Sequence, residues 1–517
     1  AERLDRPAGR GSLAADVAAI ADDSTTIEPG ALFVAVKGLR RDGHDFVADA
    51  FRRGAVGAVI QDRRLLTELP DAPCLLCVPD SRRALQQVAT GFYGEPSRRL
   101  RMVGITGTNG KTTTSYLVQS ILGAAGVRAG LIGTVGYRIG DRQIAASHTT
   151  PGLLALQRLL ADMVREGMEA VVMEVSSHAL SQGRVEGCRF DVAVFTNLTQ
   201  DHLDFHETME RYFEAKRTLF TGLADGRYGK AEAWAVVNHD DAWGRRLAAD
   251  NPARTLTYGL TREAGVTLEE PVVDWSGIRG TMKSAKGRFP VESPLLGRYN
   301  VANLLAAVAA GLALGVAPSA IQAGVRRMAQ VPGRFERVET PGQPFRVIVD
   351  YAHTDDALQR LLAAVRELQQ GRIIAVFGCG GDRDRGKRPK MGRVAAELAD
   401  LVILTSDNPR SEEPRAILRE IEAGLRGAVA SANAGGAGET GSRQAGSPES
   451  MIRMRDYRVI EDRREAIAQA IAAAQPGDAV VIAGKGHEDY QIVGATRYPF
   501  DDRLVAREAL QRRLSAA

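Results

Sequence analysis

A chain of 517 residues exceeds what one ordinary core buries, and a prior of ~150 residues per domain predicts about three domains. Hydrophobic and charged fractions of 44% and 25% exclude a disordered or fibrous chain, and a net charge of +4 without a dense Lys/Arg run argues against nucleic-acid binding. Four cysteines are too few for a disulfide scaffold, no apolar run reaches the ~20 residues of a membrane span, and Ala1 to Arg6 lacks a signal peptide's apolar region, so a cytoplasmic protein is expected.

Residues 1–98 carry the strand-like runs Ala31 to Val36 and Val56 to Ile60 with a helical stretch from Asp45 to Arg53 between them, which predicts a small α/β domain. The pair Cys74-x-x-Cys77 lies in an apolar run with no second pair nearby, so buried strand residues are expected rather than a zinc or redox site. The turn-rich patch Tyr93 to Ser97 places a boundary near Leu100.

From Arg101 the order becomes strand (Arg101 to Thr106), glycine loop, and amphipathic helix (Thr113 to Ala125). Apolar runs at Ala170 to Val175, Asp191 to Thr196 and Ala235 to Asn238 follow, separated by helical stretches, as in a parallel sheet with crossover helices. This region, 99–334, ends after a helix from Asn300 to Leu314 and the segment around Arg334.

Residues 335–517 repeat the rhythm with strands at Phe345 to Val349, Ile373 to Phe377, Leu401 to Thr405 and Ala479 to Ala483, and helices at Asp356 to Leu368 and Met391 to Leu398. Polar residues cluster after these strands, where ligands bind in open α/β sheets. The Gly-, Ala- and Ser-rich stretch 432–450 reads as a mobile loop insertion. The fold class is α/β in three domains: a small α/β domain, a central phosphate-loop domain with a mostly parallel sheet, and a third, likewise α/β.

The string Gly107-Thr108-Asn109-Gly110-Lys111-Thr112 carries the first chemistry. Two glycines let successive N–H groups turn toward an anion, Lys111 adds a point charge, Thr112 offers a hydroxyl to a metal, and the following helix directs its positive end at the same place. The strict phosphate-loop pattern wants glycine five positions before Gly110, where Ile105 stands. Glu174 ends one apolar run and His202 follows the next, so a hard carboxylate oxygen and an imidazole fall where a cation beside phosphates would need them. A zinc reading of His202 and His206 fails, because Leu203 occupies the position that a zincin gives to glutamate.

The string Gly104 to Thr114, Gly-Ile-Thr-Gly-Thr-Asn-Gly-Lys-Thr-Thr-Thr, resembles the ATP loop of the Mur ligases and the related folylpolyglutamate synthases, which accounts for Ile105. The likeness continues through His148 to Pro151, Met173 to His178, Thr196 to His202, Tyr212 to Lys216, Asp350 to Thr354, Gly378 to Asp384, Asp407 to Arg410 and Gly484 to Glu488, and so spans nearly the whole chain. Within the family the set is similar to members that add meso-2,6-diaminopimelate to UDP-N-acetylmuramoyl-L-alanyl-D-glutamate in peptidoglycan precursor synthesis. The resemblance implies a domain for the uridine nucleotide, a central ATPase domain and a Rossmann-like C-terminal domain for the incoming amino acid. It implies ATP and Mg²⁺, small-molecule substrates, and an enzyme acting as a monomer.

The same resemblance implies residue roles. Gly107, Thr108, Asn109, Gly110, Lys111, Thr112 and Thr113, with Asn303, Arg334, Asp350 and His353, match the ATP contacts. Thr112, Glu174 and His202 match metal ligands, together with Lys216 as a carbamate, and Lys111, His202 and Lys216 carry catalysis. Ser24, Thr149, Thr150, Ser176, Gln182 and Arg184 match contacts to the UDP-linked substrate. Arg383, Asp407, Asn408, Pro409, Arg410, Gly484 and Glu488 match the diaminopimelate pocket. Diaminopimelate differs from lysine by a second carboxylate, for which the planar guanidinium of Arg410 is the natural bidentate partner, and Glu488 suits an ammonium. Two positions depart from the family pattern: Thr25, where it has arginine, and Asp355, where it commonly has proline. A lysine-adding or folate-extending ligase, and a nucleotide-driven switch without ligase turnover, are the rival readings.

Overall fold

The computed structural model of the chain describes residues 8–11, 16–38, 41–251, 253–328, 330–435 and 452–515. Two compact units emerge, one of Ala1–Thr267, Lys283–Arg288 and Asn303–Gly324, the other of Leu268–Met282, Phe289–Ala302 and Val325–Ala517.

The first unit holds two sheets. In the smaller, Ala19–Ala21, Ala31–Val34, Gly57–Ile60 and Cys74–Cys77 run parallel, and Ala8–Gly11 closes one edge antiparallel. Side chains alternate across a strand, so residues three apart face opposite sides. Cys74 accordingly joins one apolar cluster, with Val34 and Val59, and Cys77 the other, with Phe33 and Ile60. Both thiols are buried and free, and no metal can draw on them together.

The larger sheet has eight strands, and its centre is built from β-branched residues buried on both faces, as parallel pairing under crossover helices requires. Arg101–Thr106 lies between Ala170–Glu174 and Phe190–Phe195, parallel to both, with Ile105 opposite Glu174 and Thr106 opposite Phe195. The chain therefore passes from one side of Arg101–Thr106 to the other between Glu174 and Phe190. A crevice opens at such a switch point, beyond the carboxyl ends of the strands.

The second unit holds a six-stranded sheet in the order Glu336–Arg337, Arg346–Asp350, Ala479–Ala483, Ile373–Phe377, Leu401–Leu404, Asp456–Val459, parallel except for the first edge strand. Alternate residues feed two cores. Ile348, Ala375, Phe377 and Val481 pack with helices Asp355–Leu368, Lys387–Leu398 and Pro414–Gly435, while Val347, Val349, Ile374 and Val480 pack with Arg463–Ala473 and Asp502–Ser515. Helices on both faces make this a doubly wound arrangement, which fits the Rossmann-like expectation.

Three features differ from expectation. Residues 432–435 continue the helix Pro414–Gly435 instead of beginning a loop, because alanine-rich sequence propagates a helix well; the rest of the expected insertion lies outside the described residues. Thr267–Asp274, Gly277–Ser284 and Gly287–Ser293 form a three-stranded sheet that polar, half-exposed strands concealed. The helix after the glycine loop begins at Lys111, two residues early, so its first turn belongs to the loop. Among the described residues no helix is long and apolar enough to cross a membrane.

Candidate functional site

The phosphate loop follows the strand Arg101–Thr106 directly, and crowding sets its composition. Gly110 has φ of 87°, and a Cβ there would sit 2.1 Å from Asn303 Oδ1, while a Cβ on Gly107 would sit 1.9 Å from Thr196 Oγ1. Only glycine passes through both points. Asn197 holds the loop from below: its carbonyl accepts from Thr108 N at 2.9 Å, its Oδ1 accepts from Asn109 N at 3.0 Å, and its Nδ2 donates to Asn109 O at 3.2 Å. Thr108 Oγ1 donates to Thr199 O at 3.2 Å, and Asn109 Nδ2 donates to Thr199 Oγ1 at 3.2 Å. Lys111 Nζ donates to the carbonyls of Gly107 and Thr108, at 2.8 and 2.9 Å, so its charge caps the loop. Thr113, the third residue of the helix, is buried.

Glu174 joins this loop to the neighbouring strand. Thr112 Oγ1 donates to Glu174 Oε1 at 3.0 Å, Thr134 N donates to the same oxygen at 2.9 Å, and Thr134 Oγ1 donates to Oε2 at 3.1 Å. A hydroxyl and a carboxylate side by side at a helix N-terminus are the hard oxygen donors that Mg²⁺ takes. Among the described residues no group of three or more His, Cys, Asp or Glu side chains assembles a metal site, so an ion there would also draw on Thr112 and on ligands outside that set.

Lys216, on the helix Met209–Ala224, is 1% exposed. Its Nζ donates to Gly107 O at 3.1 Å and lies 4.4 Å from the centre of the Tyr212 ring. Burial strips its hydration and Lys111 adds like charge, against weaker help from Asp201, so its pKa falls well below the ordinary lysine value. Burial and the like charge of Lys111 thus disfavour the ammonium form beside the phosphate loop. His202 has a φ of 55° and N-caps the short helix Leu203–His206, with its ring 4.9 Å from that of His178 and 6.1 Å from that of Tyr212. His206, absent from the expected site, is buried, accepts from or donates to Ser177 Oγ at 2.9 Å, and packs its ring 5.0 Å from that of Tyr212. Burial first, then His178 and Lys216, push its pKa down to about 4.

Five of the six residues expected at the UDP-linked substrate come together. Arg184 donates to Gln182 Oε1 through Nε and Nη2, at 2.9 and 2.6 Å, and to Thr150 O through Nη1 at 2.9 Å. Thr150 Oγ1 donates to Glu174 O at 2.8 Å and accepts from Ser176 N at 3.0 Å, and Thr149 Oγ1 lies 3.1 Å from Thr134 Oγ1. Ser24 belongs to a different element, the buried start of the turn Ser24–Thr26, capped by Asp23. There Thr25 donates its hydroxyl to Asp23 Oδ1 at 2.7 Å, which gives this departure a local role. Asp355 likewise has one: it occupies the first turn of the helix capped by Thr354, where a carboxylate interacts well with the helix dipole.

In the second unit the remaining expected residues lie at strand ends. Asp350 is buried and accepts from Phe335 N and Ala352 N, at 2.6 and 2.8 Å; burial pushes its carboxyl above the usual range, opposed by Arg334. Arg334 stacks 4.6 Å over the Tyr351 ring, and Tyr351 O lies 2.8 Å from His353 Nδ1. Further along the sheet, Asn408 Nδ2 donates to Glu488 Oε2 at 3.0 Å, and a Cβ on Gly484 would sit 2.7 Å from Asp407 Oδ2. Pro409 O crowds Gly381, since a Cβ there would lie 1.9 Å away. Arg410 has a φ of 50° and Nη1 donating to Gly381 O at 2.8 Å, and it is half-buried. Its backbone forms an isolated bridge to the hairpin Tyr490–Val493/Thr496–Pro499, its N–H donating to Ile492 O and its carbonyl accepting from Gly494 N. Arg383 is exposed, with Nη1 donating to Asp382 O at 3.2 Å.

Asn197, Thr199 and Thr134 were not singled out, although Asn197 and Thr199 lie inside the string Thr196 to His202. Their partners are about 40 to 90 residues away, and no spacing rule reaches that far.

Comparison with known proteins gives three successive family matches along the chain. A Mur ligase family, catalytic domain model matches residues 16–93, a Mur ligase middle domain model 105–311, and a Mur ligase, glutamate ligase domain model 333–486. The UDP-N-acetylmuramoyl-L-alanyl-D-glutamate–2,6-diaminopimelate ligase of Geobacter metallireducens is 48% identical over 95% of this chain and 94% of its own length. That of Gloeobacter violaceus is 49% identical over 97% of this chain and 95% of its own. A solved structure of a ligase of the same name superposes with a TM-score of 0.66 at 35% identity, covering 96% of this chain and 95% of the other. A MurF ligase from Thermotoga maritima in complex with ADP shares the fold, with a TM-score of 0.59 at 20% identity over 96% of this chain and 98% of the other.

Proposed function

The chain belongs to the Mur ligase family, and from that premise we propose that it is the ATP-dependent, ADP-forming ligase that adds meso-2,6-diaminopimelate to UDP-N-acetylmuramoyl-L-alanyl-D-glutamate in peptidoglycan precursor synthesis. One observation carries the reading: Glu174 accepts from Thr112 of the phosphate loop and from Thr134, which touches Thr149 of the group expected at the UDP-linked substrate. A single short network therefore links the residues for phosphate to those for the carboxylate that must meet it.

A carboxylate is a poor acyl donor. Its attack on the γ-phosphate of ATP gives an acyl phosphate and ADP; the amine then attacks the acyl carbon, and the tetrahedral adduct expels phosphate to leave an amide. Two anions must approach each other in the first step, so positioning and charge neutralisation carry the rate. Lys111 supplies a positive charge at the loop, and the helix that begins there adds its dipole. Thr112, Glu174, His202 and Lys216 are the residues that would hold Mg²⁺, which when bound neutralises phosphate charge. The neutral form of Lys216, which burial and Lys111 favour, is the form that adds carbon dioxide; losing a proton as it does so, it becomes an anionic carbamate that attracts Lys111.

Asn303, Arg334, Asp350 and His353 complete the proposed ATP contacts, and Ser24 joins the proposed uridine side. In the amino-acid pocket, Arg410 takes the second carboxylate of diaminopimelate and Glu488 an ammonium, supported by Arg383, Asp407, Asn408, Pro409 and Gly484. The same reading has the enzyme working as a monomer in the cytoplasm on small molecules. Phosphate release that requires ATP, the UDP-linked dipeptide and meso-diaminopimelate together is the expected result. Equal turnover with lysine, turnover of folate with glutamate, or release that ignores the amino acid would each replace this reading by one of its rivals.

A further inference from the structure

Lys485 is a charged side chain with no exposed surface, in the middle of the loop Gly484 to Glu488. Its ammonium lies 3.1 Å from Asn408 Oδ1, 3.3 Å from Glu488 Oε2 and 3.6 Å from Asp407 Oδ1, with the Tyr490 ring centre 5.4 Å away. Removing a charge from water so completely is costly unless nearby groups compensate it. Here two carboxylates and an amide oxygen do so.

The arrangement fixes two other groups. Asn408 Oδ1 accepts from both Lys485 and Ile492 N, the latter at 2.9 Å, so the amide cannot turn over and its Nδ2 must point to Glu488. Glu488 Oε2 thereby receives two donors, from Asn408 and Lys485, while its Oε1 has no donor among the described residues. Asp407 and Glu488 together bring two negative charges and Lys485 one positive. The next cation along the strand end, Arg463, is spent on its own buried partner, with Nη2 2.7 Å from Asp502 Oδ2. One uncompensated carboxylate is left, with its oxygen in Glu488, and Arg410 is the cation on the neighbouring loop.

We infer that Lys485 is a positioning residue that holds this pocket at one net negative charge beside Arg410, so that it takes an amino-acid terminus carrying one ammonium and one carboxylate and discriminates against a bare ammonium. The inference rests on the amino-acid pocket of the proposed function. A terminus bearing both groups is neutral overall and matches Glu488 and Arg410 together. The side-chain end of lysine is a lone cation and would be preferred only if the pocket gained a second negative charge. Removing Lys485 does that, and also takes one of the two donors from Asn408 Oδ1.

The test compares unaltered enzyme, Lys485→Met and Lys485→Arg in phosphate release, with meso-diaminopimelate or lysine as amino acid, reading KM for each substrate and the ratio of kcat/KM values. Lys485→Met is expected to raise KM for diaminopimelate on the order of tenfold or more and to cut the preference over lysine by a similar factor, with KM for ATP within about twofold. Lys485→Arg keeps the charge and is expected to retain the preference within about threefold. A Lys485→Met enzyme with unchanged preference, or with KM raised alike for ATP and amino acid, overturns the inference. If that variant does not fold, Lys485→Arg decides: loss of preference there contradicts a role through charge. Should the unaltered enzyme itself ignore diaminopimelate, it is the proposed function that fails.

Discussion

The phosphate loop and the proposed amino-acid pocket sit at the same kind of place, beyond the carboxyl ends of parallel strands, yet they are made of different material. The loop is backbone: glycines forced by Asn303 and Thr196, amides held by Asn197, and a helix N-terminus. The pocket is side-chain charge: Asp407, Glu488, Lys485 and Arg410 on loops that only the sheet brings together. Backbone recognition suits a group that every member of a family shares, since it varies little with sequence. Charges on loops suit the part of the reaction that distinguishes one amino acid from another.

That contrast predicts where changes act. The largest effect is expected in the pocket: Arg410→Ala should lower kcat/KM for diaminopimelate by roughly 10⁴-fold, because a site built for a carboxylate loses its partner, while ATP binding measured by calorimetry stays unchanged. Joint loss of ATP binding would break the division between the two regions. Lys216→Ala should lower kcat by about 100-fold or more, with activity partly restored by a short carboxylic acid supplying the missing anion. Full activity in Lys216→Ala would remove the lysine from the reaction.

Smaller effects are expected in the loop's framework. Gly110→Ala places a Cβ against Asn303 at a φ of 87°, and should destabilise the protein by about 1–2 kcal/mol in chemical denaturation and raise KM for ATP more than KM for diaminopimelate. A change confined to diaminopimelate would contradict the assignment of this loop. The smallest concerns His206, whose folded pKa of about 4 lies below its ordinary 6.5. Its contribution to stability is then complete above about pH 6.5 and is lost as pH falls toward 4, where the buried ring must take a proton. His206→Gln should flatten the pH dependence of the denaturation midpoint across that window, and an unaltered slope would assign the dependence to other groups.

The two regions were also unequally legible in the sequence. Gly107 to Thr112 could be read because loop, lysine and helix start are contiguous, and the strand before it because Met102 to Ile105 form an apolar run buried on both faces. Lys485 could not, since a lysine between two glycines has no periodicity and its burial depends on Asp407 and Asn408, about 80 residues away. Thr134 and Asn197 escaped for the same reason. The sheet from Thr267 to Ser293 was missed because its alternation runs through polar residues.

In the proposed reaction this phosphate loop serves to activate a carboxylate, and an oxygen atom can be followed through that step. With the D-glutamate γ-carboxylate of UDP-N-acetylmuramoyl-L-alanyl-D-glutamate carrying a heavy oxygen isotope, and ATP and meso-diaminopimelate present, one labelled oxygen should appear in phosphate for each amide formed. Amide formation with no label transferred to phosphate would contradict the account.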